Sequence, residues 1–133
     1  MGSSLKELAL DNGLVLTVTD ESSNYYADFW NLKIVIRAIV RVDPAYLQAI
    51  NPSHPFELAA KEAIGKEVPY YRELTRIDVR EREKEATLRQ LLSSFEENSL
   101  PYLSHPSFLA RMVTSHWKKL ADEIKGKKQE GNE

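Results

Sequence analysis

From Trp30 to Val42 the chain alternates without a gap. Trp30, Leu32, Ile34, Ile36, Ala38, Val40 and Val42 take every second position, with Asn31, Lys33, Val35, Arg37, Ile39 and Arg41 between them. Side chains of an extended strand point alternately to its two faces, so this spacing predicts a strand with one buried and one partly wet face. Extended back to Tyr25 it would reach roughly 60 Å at about 3.3 Å per residue. That is long for so short a chain, and a bend or bulge is expected near Ala27 to Trp30 within a long strand at about 26–42. Asp43-Pro44 ends it.

Upstream, Leu8-Ala9-Leu10 and Leu14-Val15-Leu16-Thr17-Val18 flank Asp11-Asn12-Gly13. Asn and Gly both tolerate the positive φ of a tight turn, so 11–13 reads as a hairpin. Downstream, Asp43 is placed to cap a short helix with Pro44 in its first turn, and Asn51-Pro52 stops it. A second helix is expected from Pro55 to Ile64, with Gly65 as its terminator. Val68 to Val79 carries β-formers, although Val68, Tyr71 and Leu74 also fit a helical stripe. We assign a strand, because Pro69 would have to open a helix without a preceding Ser, Thr, Asp or Asn. Leu88, Leu91, Leu92 and Phe95 mark an amphipathic helix from roughly Glu81 to Glu97, which Pro101 and Ser104-His105-Pro106 separate from another. In that last helix Leu109, Met112, Val113, Trp117, Leu120, Ala121 and Ile124 form the apolar stripe.

Strands first and helices last predict an α+β fold rather than a parallel α/β sheet. The expected architecture is an antiparallel β-meander of three to four strands whose apolar face is covered by the two C-terminal amphipathic helices. Residues 1–125 form one domain on this reading, and 126–133 a frayed, charged tail.

Composition narrows the chemistry. The 133 residues are 42% hydrophobic and 29% charged, ordinary values for a chain that folds around a core. There is no cysteine, hence no disulfide, thiol nucleophile or Cys-type zinc site. Lys and Arg number 18 against 20 Asp and Glu, a net charge of −2. Nucleic-acid binding, which draws its affinity from a basic excess, is disfavoured. The amino terminus lacks the pattern of a secretory signal, and 32–42 is too short and too charged to span a bilayer, so a cytoplasmic location is expected.

Ser53-His54-Pro55 and Ser104-His105-Pro106 could bring two histidines together, but each is read as a helix start, with Ser or His capping and Pro in the first turn. His116 lies on the apolar stripe and is read as a packed side chain. The interleaved charges between Arg72 and Arg89 read as a solvated face with local ion pairs. Arg37 and Arg41 have the Arg-x-x-x-Arg spacing of PilZ domains, yet the Asp/Asn-x-Ser-x-x-Gly stretch that should follow is missing, and we assign no family. Asp20, Glu21 and Asp28 flank a polar, tyrosine-rich loop. Within it Asp20, Tyr25, Tyr26 and Asp28 are the candidate contacts for a small ligand or divalent cation.

No phosphate loop, nucleophile elbow or His-Glu-x-x-His stands in the chain. The reading therefore leans away from an enzyme, with no cofactor, no resident metal and no catalytic residue assigned. The leading expectation is a protein-interaction module that self-associates, as a homodimer or with another protein. Val35 and Ile39 on the wetter strand face, beside Phe29, motivate it, together with an unpaired sheet edge. The alternative is a small-ligand or metal-binding domain built on the 20–28 loop.

Overall fold

The computed structural model describes residues 3–131, with side chains through residue 127. The strands are β1 (Ser3–Ala9), β2 (Val15–Asp20), β3 (Ser23–Tyr26), β4 (Phe29–Arg41) and β5 (Glu67–Arg80). The helices are α1 (Pro44–Gln48), α2 (Pro55–Ala63), α3 (Lys84–Leu103) and α4 (Phe108–Gly131), with one 3-10 turn at Glu81–Glu83. The fold is α+β: an antiparallel five-stranded sheet with helices at the C-terminal end, and 68–79 is strand.

The chain forms two compact units, each assembled from two stretches of sequence: 3–38 with 70–106, and 39–69 with 107–131. The sequence reading treats 1–125 as one domain. No single linker divides these units, since the chain passes between them inside β4 and again inside β5.

In the first unit the Asn12-Gly13 hairpin forms as expected. Gly13 takes φ +90, Leu10 N donates to Leu14 O at 2.8 Å, and Gly13 N donates to Leu10 O at 2.9 Å. β1 pairs with β2, and β2 with β4. β3 then continues along β4 in the register of β2: Asp20 faces Ile34, Ser23 faces Asn31 and Asn24 faces Trp30.

This corrects the long strand at about 26–42. The chain does not bend near Ala27; it reverses there, with Tyr26 facing Phe29 across Ala27 and Asp28. Ala27 takes φ +48, a conformation unfavourable for a residue with a Cβ. Asn24 holds it by donating from Nδ2 to Ala27 O (2.9 Å) and to Phe29 O (3.0 Å). Ala-Asp is not a strong turn signal, so the side chain that stabilises the reversal lies three residues upstream of it.

The alternation of β4 holds. Leu32, Ile34, Ile36 and Ala38 are buried on one face, with Leu14, Leu16 and Val18 from the neighbouring hairpin. Val35 departs from the expected wet face and is fully buried; on its own face Lys33 and Arg37 flank it and Thr19 lies opposite. Ile39 is exposed as expected. α3 lies on the sheet of this unit. Phe95 and Leu103 are buried, Lys6 of β1 pairs with Glu96, and Arg72 of β5 donates to Ser99 Oγ at 2.8 Å.

Pro101 does not break α3 as expected. A proline in the last turn removes one N–H, and Ser104 closes that turn with bonds from its N–H (2.8 Å) and Oγ (2.7 Å) to Leu100 O. The second Ser-His-Pro segment therefore ends one helix before the next begins, and Ser104 caps backwards.

In the second unit Asp43 caps α1, its Oδ1 accepting from Ala45 N at 2.9 Å. His54 stands at the N-cap of α2 without a side-chain bond, Pro55 follows it, and Glu57 reaches back to Ser53 N at 3.1 Å. Gly65 takes φ +78 just past α2. The expected stripe of α4 is in place: Val113, Trp117 and Ala121 are buried, and α4 packs on α2 and α1. Trp117 Nε1 donates to Glu57 O at 2.8 Å. Residues 126–131, expected to fray, continue α4, while 132–133 lie outside the described residues.

Candidate functional site

The four residues singled out by sequence lie along one hairpin arm of the first unit and do not converge. Asp20 faces Ile34, and Asp28 sits in the turn six residues beyond the end of β2's partner register, a separation of about 20 Å along a strand. Each carboxylate has a local partner. Asp20 Oδ1 accepts from Ser22 N at 2.9 Å, the Asx pattern that tightens a turn. Asp28 Oδ2 lies 3.6 Å from Arg80 Nη1, and Asp28 O accepts from Glu81 N at 2.9 Å. Tyr25 donates its hydroxyl to Asp78, and that bond raises the phenol above its ordinary range. Tyr26 is 70% exposed.

Around Tyr25 and Asp28 the structure adds groups that the sequence reading passed over. Asp78 takes φ +57 near the end of β5, which turns its carboxylate toward Tyr25. The Arg80 guanidinium lies 4.5 Å from the Phe29 ring centre and Lys84 Nζ 3.6 Å from that of Trp30. The Trp30 indole N–H is buried without an acceptor among the described residues. These contacts tie the hairpin tip to the end of β5. Among the described residues no group of three or more His, Asp or Glu side chains is placed to hold a metal ion.

A second polar array lies on the Val35 face. Arg37 Nη1 donates to Glu21 Oε2 at 2.8 Å, and Thr19 Oγ1 donates to the same oxygen at 2.9 Å. Both bonds favour the carboxylate and hold Glu21 below its ordinary pKa, Arg37 contributing most. Arg37 also lies 5.4 Å from the Tyr71 ring centre. Tyr71 donates to Glu73 at 2.6 Å and Lys33 approaches Glu73 at 3.2 Å. Glu73 is lowered by Tyr71 first and Lys33 second, and Tyr71 is raised in return. This network links β2, β4 and β5, and its charges are internally balanced.

The third feature is β5 itself. It pairs with β4 and with no other strand among the described residues, so its outer edge is unpaired. Tyr71 (52% exposed) and Ile77 (69%) project from one face, while Arg72, Leu74 and Arg76 on the other border a cleft against α3. Within the Arg72–Arg89 charges, read from sequence as a solvated face with local ion pairs, Arg72 is engaged with Ser99 and stacks 5.5 Å from the Phe95 ring centre. A strand period of two would have put Arg72 and Arg76 on one face beside Leu74, had 68–79 been read with that period throughout.

No family model, curated protein sequence or solved structure matches this chain.

Proposed function

We propose that this protein is a non-catalytic interaction module whose working surface is the free edge of β5, and that a second copy of the chain occupies it. The observation that carries this reading is the combination of an unpaired fourteen-residue strand with Tyr71 and Ile77 exposed along it. An exposed edge presents unpaired N–H and C=O groups, a ready template for another strand. Pro69 lacks a donor and Asp78 leaves extended geometry, so the regular edge is the stretch between them, 70–77. Two such edges related by a twofold axis would run antiparallel and merge Tyr71 and Ile77 of both copies into one apolar strip. The opposite edge, β1, is shorter, carries a register shift between Ser4 and Lys6, and engages Lys6 with Glu96. These are the devices by which edges are kept from pairing.

Light scattering coupled to size exclusion, at micromolar concentration, tests the proposal. The wild type should elute with the mass of a dimer and Ile77→Lys with that of a monomer, both keeping the same circular dichroism. A wild type that stays monomeric, or an Ile77→Lys variant that stays dimeric, would refute it.

A further inference from the structure

We propose that the cleft between β5 and α3 binds a small organic anion, a carboxylate or phosphate group carried on an apolar body. The site goes beyond strand pairing, since it lies on the face of β5 opposite Tyr71 and Ile77. The cleft measures about 170 Å³, comparable to the ~150 Å³ cavity that accommodates benzene in other proteins.

Its charge is one-sided: Arg72 and Arg76 line it and no carboxylate does, in a chain where acidic residues outnumber basic ones. The two arginines stand four residues apart on one strand face, about 13 Å along the strand, with Leu74 between them. Arg76 forms no ion pair or side-chain hydrogen bond among the described residues, so its planar fork of donors is uncommitted.

Arg72 is held in place. Its Nη1 bond to Ser99 Oγ at 2.8 Å and its stacking on Phe95 fix the guanidinium, which leaves further N–H groups for a ligand and reduces the entropy lost on binding. On the helix side Gln90, Ser94 and Asn98 recur every fourth residue and form the solvent-exposed polar rim of the cleft. Asn98 Nδ2 donates to Ser94 Oγ at 3.2 Å, so the Ser94 hydroxyl hydrogen points elsewhere and can donate to an anion. Leu74, Leu91 and the buried Phe95 supply the apolar wall. Convergent donors beside an apolar wall are the makeup of a small-molecule site.

The test uses three probes, phenylphosphate, benzoate and inorganic phosphate, titrated by calorimetry and by amide chemical shifts in NMR. The expected result is saturable one-to-one binding of phenylphosphate or benzoate, with shifts centred on 72–76 and 90–99 and affinity falling as salt rises. The preferred probe identifies the head group, and weaker binding of inorganic phosphate reports the apolar contribution. Arg76→Ala should weaken the preferred probe at least about tenfold, the size of one lost charged hydrogen bond, without changing the melting temperature of the free protein. Arg76→Gln serves the same purpose should the alanine variant fold poorly. No saturable shift with any probe, or unchanged binding in the Arg76 variants, would overturn the assignment. Repeating the titration on Ile77→Lys separates a failure of ligand binding from a failure of strand pairing.

Discussion

Asn12 Nδ2 donates to Leu103 O at 2.7 Å and to His105 O at 3.1 Å, so the side chain of a hairpin turn closes the C-terminal end of α3 more than ninety residues away. Its Oδ1 accepts from Leu14 N at 3.1 Å, so one amide serves both the turn and the helix end.

The two roles are separable. Asn12→Asp keeps a residue suited to the turn and an acceptor for Leu14 N, but loses both donors and sets a negative charge against two carbonyls. We expect it to cost about 1–3 kcal/mol, with Asn12→Ala in the same range. Urea midpoints at neutral pH check this; a change of a few tenths for Asn12→Asp would assign the residue to the turn alone.

The tryptophans should respond in opposite ways to the same substitution. Trp117→Phe deletes the donor bonded to Glu57 O and should destabilise by about 1 kcal/mol or more. Trp30→Phe deletes a buried N–H that has no acceptor among the described residues, so its effect should be near zero or stabilising. Because each unit contains one tryptophan, the single-tryptophan variants also report by fluorescence whether the units unfold together.

Acid should weaken the sheet only as pH falls below the ordinary glutamate range. Glu21 and Glu73 are lowered in the folded protein by Arg37 and Tyr71 respectively as the leading partners. The unfolded chain then binds more protons over that range. Their contribution is fully present above the ordinary Glu pKa of about 4.3 and is lost as pH falls through the lower folded values. Both side chains are solvent-facing, so the effect should be modest and shrink with added salt. Urea midpoints between about pH 6 and 3 should fall less steeply for Glu21→Gln than for the wild type.

The alkaline side has the reverse sign. Glu73 raises Tyr71, Asp78 raises Tyr25, and burial raises Tyr70. Their contribution is complete below the free tyrosine pKa of about 10 and disappears as pH rises through the higher folded values. Phenolate absorbance should therefore develop late. Asp78→Asn should advance the part due to Tyr25 and leave the Tyr71 part in place.

Local chemistry made most of the fold legible. Asn12-Gly13, Asp43-Pro44 and Gly65 each set the backbone at their own position, and the alternation from Leu32 to Val40 specifies its buried face without help from elsewhere. What escaped depended on partners distant in sequence. Ala27 reverses the chain because Asn24 clamps it, and an alanine carries no such signal. Val35 lies on a face that its own strand marks as wet. Asp20 and Asp28 looked like a site because they are near in sequence, whereas the hairpin arm holds them apart. Arg72 and Arg76 looked like solvated charge because their neighbours alternate in sign. Only the packing of that strand against α3 sets both arginines on one cleft and leaves the acids outside it.

The passage of β4 and β5 through both units bears on how the protein is made. Neither unit is a contiguous stretch, so no truncation from either terminus can isolate one without part of the other. Residues up to about 106 must leave the ribosome before the first can close, and the second must wait for α4. Long loops are therefore closed early at an entropic cost, which slows folding.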